Sequence, residues 1–151
     1  MNKIITKNKK AFFDYEIIDS WEAGLELKGH EVKSIRLGQI NLKGSYIIQI
    51  NGRLYVKNMH ISAWKSLVNK DRIEVERERK IFLHKKTILL LSGKLKEAGY
   101  SIIPLEIYLV GSLIKMRVGL GKGRKDYDKK QVLKERTIDK EAKIMMKKYD
   151  Y

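Results

Sequence analysis

Cysteine is absent from the 151 residues, which excludes disulfides and thiolate metal sites and fits a reducing compartment. Proline occurs once, at position 104, and there is neither a low-complexity tract nor an internal repeat. The longest apolar run, Ile88 to Leu91, is far too short to cross a bilayer. Met1 to Lys10 holds no apolar segment of the signal-peptide kind, so a soluble, cytoplasmic chain with no membrane partner is expected. Negative charge is scarce: 18 Asp and Glu face 33 Lys and Arg, a formal net charge of +15. Such a chain is drawn to polyanions with an affinity that falls steeply with salt.

The signatures of small-molecule chemistry are missing as well. His30, His60 and His84 have no metal-ligand spacing. The run Gly119-x-Gly-x-Gly123 fails the phosphate-loop pattern, since Met116 stands at its first glycine and Gly123 at its magnesium-holding Ser or Thr. No Gly-x-Ser-x-Gly elbow is present. Asp126 and Asp128 lie among lysines on a stretch with no rigid scaffold, unsuited to general acid–base work. Neither a catalytic residue nor a metal, cofactor or small-molecule substrate is expected.

Hydrophobic residues make up 43% of the chain, enough for one core. Residues 1–10 carry four lysines and read as a mobile basic arm. Phe13 to Ile18 reads as a first strand, and Asp19 to Gly24 as a one-turn helix capped by Asp19 or Ser20. Leu25 to Arg36 reads as a long strand with a parity fault. Leu25 and Leu27 are odd-numbered and Val32 is even, so a bulge is expected at Gly29. That parity points Glu31 and Lys33 outward together. Asn51-Gly52 predicts a type I′ hairpin between Ser45–Ile50 and Arg53–Lys57, with Tyr46, Ile48 and Ile50 facing the core opposite Leu54 and Val56.

Trp64 to Arg79 shows weak periodicity and reads as a loop. Ile88, Leu91, Leu95 and Ala98 form one apolar stripe, predicting a helix over 85–98. Ile102–Val110 and Leu113–Leu120 predict a second hairpin over Gly111-Ser112, with Pro104 at an edge or kink. Glycines 119, 121 and 123 would end that strand. The fold class expected is mainly β with helices: a small oligonucleotide-binding-type barrel over 1–121 and a basic tail over 122–151. The tail holds 11 Lys and Arg against 6 Asp and Glu, and its thin stripe of Ile138, Ala142, Met145 and Tyr149 predicts a segment flexible when free. Folded module and cationic arm together suggest a nucleic-acid binder. A general single-strand binder and a structural ribosomal protein are the alternatives at this point.

A set of ordered motifs then runs nearly end to end. It comprises Asn8-Lys-Lys-Ala11 with Asp14-Tyr15, Trp21-Glu-Ala-Gly24, Gly29-x-Glu-Val-Lys-Ser34, Asn41-x-Lys-x-Ser-Tyr46 and Asn58-x-His-Ile61. It continues with Leu83-His-Lys85, Pro104-Leu105 with Tyr108, and Gly121-Lys-Gly-Arg-Lys-x-Tyr-Asp-Lys129. In these the chain resembles the SsrA-binding (small protein B) family, partners of transfer-messenger RNA (tmRNA) in bacterial ribosome rescue. The resemblance implies that the barrel cradles the tRNA-like domain of tmRNA through Glu31, Lys33, Phe82, His84, Lys85, Lys115 and Arg117. Within that set Glu31 matches the family's Glu at the RNA elbow. The resemblance further implies that the tail, helical on the ribosome, enters the decoding centre and mRNA path through Lys122, Arg124, Lys125, Tyr127, Asp128, Lys129, Lys130, Lys134 and Arg136. Phe13, Met59 and Lys130 depart from the residues usual in the family, and at 130 the guanidinium fork is lost.

Overall fold

The computed structural model describes residues 2–63 and 75–124. The loop expected from Trp64 lies mostly outside them, as does the tail from residue 125. Nine strands and three helices are described: β1 (Asn2–Lys7), α1 (Lys9–Asp14), β2 (Tyr15–Leu25), α2 (Gly29–Arg36), β3 (Ile40–Asn41), β4 (Tyr46–Ile50), β5 (Arg53–Lys57), β6 (His60–Ile61), β7 (Arg79–Phe82), α3 (Lys85–Leu95), β8 (Tyr100–Val110) and β9 (Leu113–Gly123). Seven strands form one antiparallel sheet in the order β1-β8-β9-β2-β7-β5-β4, and β3 pairs with β6 apart from it. The sheet curls until β4 packs beside β8, which is an oligonucleotide-binding-type barrel left open at that seam. The expected class, mainly β with helices, describes it.

Two hairpins form where expected. Asn51 (φ 51°) and Gly52 (φ 76°) both occupy the left-handed region, as a type I′ turn requires, and Ile50 pairs with Arg53 across them. The facing of β4 differs from expectation: Ile47 is buried opposite Val56, while Tyr46 and Ile50 are exposed. Three successive apolar residues, Tyr46 to Ile48, make parity ambiguous, and packing chooses Ile47. The second hairpin runs from Tyr100 to Gly123, longer at both ends than its apolar pattern suggested.

Local propensity loses to pairing in the first quarter of the chain. Residues 2–7 are not an arm: they pair along β8, from Asn2 opposite Val110 to Lys7 opposite Glu106. The first helix lies at Lys9–Asp14 rather than at Asp19–Gly24, because the buried Asn8 caps it, accepting from the Ala11 N–H at 3.3 Å. Asp19 to Gly24 is strand, held by a ladder with β9 that runs from Tyr15–Gly123 to Gly24–Lys115.

The expected bulged strand over 25–36 ends at Leu25, and the helix α2 takes its place. A parity fault does exist, but it lies elsewhere. The β2–β9 register slips between Ile17 and Asp19, and the β8–β9 register slips between Pro104 and Glu106. Pro104 therefore sits at a kink, as proposed for it.

Those two bulges set the architecture of the outer surface. Inward residues such as Ala23, Met116, Ile107, Ile81, Leu54 and Val56 fill the main core, with Ile88, Leu91 and Leu95 of α3 packed against it. Below the bulges a second cluster of Ala11, Ile103 and Leu105, with Phe12, Tyr15 and Ile17, buries the outer face under α1. Gly119 and Gly121 are inside β9 rather than at its end, because this layer needs them bare. A Cβ on Gly121 would lie 2.9 Å from Tyr15 Cβ. Above the bulges no described helix covers the outer face.

Candidate nucleic-acid interface

Strand pairing dictates what the uncovered face displays. One cross-strand row runs Phe82 (β7), Gly24 (β2), Lys115 (β9) and Tyr108 (β8); the next runs Glu22, Arg117 and Glu106. A groove of about 460 Å³ follows these rows and is lined by Glu22, Gly24, Phe82, Leu83, His84 and Lys115. Gly24 matters to its shape: Phe82 lies against it so closely that a Cβ there would be 3.4 Å from Phe82 Cβ. Phe82 is 48% exposed, a large aromatic face open to solvent. Lys80 sits with its Nζ 5.1 Å from that ring's centroid. His84 precedes α3 as its N-cap residue, and Lys85 opens the helix beside it. A stacking platform ringed by cations suits an unpaired base and its phosphates.

Tyr108 is nearly sealed, 2% exposed, and donates its hydroxyl to Glu22 Oε1 at 2.7 Å. The Arg117 guanidinium carbon stands 5.7 Å from the Tyr108 ring centroid. Burial and the bond to Glu22 push the Tyr108 hydroxyl up to about 12, against the opposing charge of Arg117, so it is a committed donor at physiological pH.

Of the residues assigned to this surface in advance, Phe82, His84 and Lys115 line the groove, with Lys85 and Arg117 beside them in chain and ladder. Two do not fit. Lys33 is exposed on α2 and is not among the lining residues. Glu31 is not outward: it is 3% exposed in the interior, because residues 29–36 are helical and turn it inward. Its carboxylate accepts the Lys28 N–H at 2.8 Å, Arg77 Nη2 at 2.5 Å and Arg79 Nε at 2.6 Å. Burial alone raises the Glu31 carboxyl, but the bonds from Arg77, the Lys28 N–H and Arg79, with Arg79's charge, hold it below the usual carboxylate range.

The carboxylate that lines the groove is Glu22, which a helical-turn reading of 19–24 conceals. Tyr108 was singled out by a motif but given no place. Once β2 and β8 are each allowed one bulge, alternation puts both on the open face.

Of the residues assigned to the tail, Lys122 and Arg124 belong to the folded part. Lys122 pairs opposite Tyr100 and Glu16, and the Arg124 N–H bonds Asp14 O at 2.9 Å. Lys125, Tyr127, Asp128, Lys129, Lys130, Lys134 and Arg136 lie outside the described residues. Among the described residues no helix is long and apolar enough to cross a membrane.

Comparison with known proteins gives one consistent answer. The profile of the SmpB protein family matches residues 5–148. An SsrA-binding protein of Nitratiruptor is 45% identical over 97% of this chain and 99% of its own length. One from Bacillus cereus is 48% identical over 92% of this chain and 89% of its own. A chain from a solved structure described as tmRNA-SmpB on a journey to the centre of the bacterial ribosome superposes with a TM-score of 0.66. It is 37% identical, covering 80% of this chain and 85% of that one. On the family profile and on identities of this size and coverage, the chain belongs to the SmpB protein family.

Proposed function

We propose that this chain is a non-enzymatic, cytoplasmic RNA-binding adaptor that holds the tRNA-like domain of tmRNA and delivers it to stalled ribosomes for trans-translation. The names of its relatives support that reading, and the open groove supplies the surface. The observation that carries it is the juxtaposition of exposed Phe82 with Lys80, Lys115 and His84 along one groove of the outer face. Phe82 stacks a base of the RNA elbow, Lys115, Lys85 and Arg117 meet its phosphates, and Glu22, rather than Glu31, is the carboxylate at the contact. Lys33, exposed on α2 away from the groove, adds to the general positive field.

Lys122 and Gly123 still pair with β2, so the ribosome-directed tail is proposed to start beyond them. Its basic residues and Tyr127 probe the decoding centre and the empty mRNA channel. A fully helical arm of this length reaches roughly 40 Å, enough to leave one RNA surface for another.

The experiment is paired: binding of the tRNA-like RNA in solution, and peptidyl transfer on ribosomes stalled without downstream mRNA. A chain ending at Arg124 should bind the RNA and fail in transfer. Loss of both would merge the tail into the RNA surface. Equal binding to an unstructured oligonucleotide of the same length would instead favour a general single-strand binder.

A further inference from the structure

Tyr108 stands on β8 and Glu22 on β2, with β9 between them. Two inter-strand gaps amount to roughly 10 Å, so a Tyr108 side chain that bonds Glu22 must lie across β9. Its backbone partner there is Lys115, and the partner of Glu22 is Arg117. The ring therefore passes between the two cations, with Arg117 over its face and only 2% of the residue exposed. A tyrosine on a solvent-side face is seldom sealed so completely, and its hydroxyl has one acceptor, Glu22 Oε1. Among the described residues the second oxygen of Glu22, Oε2, accepts no hydrogen bond.

A carboxylate repels phosphate, so in a chain of net charge +15 Glu22 is not itself a backbone contact, whatever phosphates its basic neighbours meet. What it accepts are N–H donors, and the open Phe82 ring in the same groove offers the stacking that presents a base edge. We infer that Tyr108 is a positioning residue: it fixes Glu22 so that one carboxylate oxygen reads an N–H donor of an unpaired base at the RNA elbow. The inference rests on the groove being the RNA surface. It adds a residue that never touches RNA.

The test uses the full-length chain and a transcript of the tRNA-like domain, comparing wild type, Tyr108→Phe, Glu22→Gln, the double variant and Lys115→Ala. Tyr108→Phe removes only the hydroxyl and should weaken binding about tenfold, the size expected for a bond to a charged group. The slope of affinity against salt should stay unchanged, since no phosphate contact is lost. In the Glu22→Gln background the same change should add little. An RNA made abasic at one elbow nucleotide should lose affinity to wild type, and that loss should shrink about tenfold against Tyr108→Phe.

Four results would overturn the inference: full additivity of the two changes, an altered salt slope in Tyr108→Phe, wild-type affinity in Tyr108→Phe, or no abasic position that couples. Denaturant unfolding of the same variants separates folding from binding: an affinity loss that only follows the folded fraction marks a structural role for Tyr108 and likewise overturns the inference. Lys115→Ala separates the levels. If it binds as wild type does, the groove itself is not the RNA surface. If it weakens binding while Tyr108→Phe does not, only the positioning role fails.

Discussion

Glu31 and Arg79 meet in the interior as an ion pair, Nε to Oε2 2.6 Å, with the arginine side chain fully buried and the glutamate nearly so. Arg79 also donates to Met59 O at 2.7 Å and Val75 O at 3.1 Å, so one guanidinium ties β7 to the chain on both sides of residues 64–74. Glu31 in turn anchors the start of α2 through the Lys28 N–H.

Removing one partner of such a pair leaves a buried charge without its counter-ion. Glu31→Ala should destabilise the fold by about 3–5 kcal/mol, measured by chemical denaturation. RNA affinity per folded molecule should be little changed. A variant with normal stability and lost RNA binding would return Glu31 to the surface role its motif suggested.

The same pair sets an acid limit. The Glu31 carboxyl is held below its ordinary 4.5, so its contribution is fully present above that pH and is lost as pH falls through the lower folded value. The stability gap between wild type and Glu31→Gln should be constant near neutrality and close on acidification below about 4.5. A gap that widens in acid would contradict the assignment.

Gly121 and Gly119 test the layer under α1. A Cβ on Gly121 would lie 2.9 Å from Tyr15 Cβ, an atom fixed to the backbone, while one on Gly119 would meet the Leu105 side chain, 2.7 Å from its Cδ1. Leucine can rotate and Tyr15 Cβ cannot. Gly121→Ala should therefore cost about 1–3 kcal/mol, and more than Gly119→Ala, in thermal or denaturant unfolding. The reverse order would mean that the two strands can separate cheaply there.

How much of this was legible in the sequence depends on the kind of signal. Asn51-Gly52 stated its own turn, because both residues tolerate positive φ and the flanking strands alternate. The stripe of Ile88, Leu91 and Leu95 gave α3, although the helix stops at Leu95 before Ala98. The resemblance points to Phe82, His84 and Lys115, and the fold brings those three into one groove.

What failed were positions where pairing overrules local preference. Asp19 and Ser20 look like caps, yet a neighbouring strand claims them. The slip that reverses parity sits at Ile17–Asp19, not at Gly29, and no glycine or proline marks it. Reading 25–36 as strand rather than helix makes a buried Glu31 seem exposed, and reading 19–24 as a helical turn hides Glu22.

Lys115 gives the electrostatic prediction. If its ammonium meets a phosphate, Lys115→Ala should weaken binding of the tRNA-like RNA and reduce the salt slope by about 1. Its melting temperature should match wild type, since the side chain faces the groove. An unchanged slope would remove Lys115 from the phosphate contacts.

RNA is proposed to occupy the outer face between the bulges and β7. The decisive measurement follows backbone amide resonances of the full-length protein as the tRNA-like RNA is added. Gly24, Phe82, His84, Lys115 and Arg117 should shift or broaden at the lowest additions. If the RNA binds while these amides stay unmoved and the changes gather elsewhere on the barrel, the groove is not the interface.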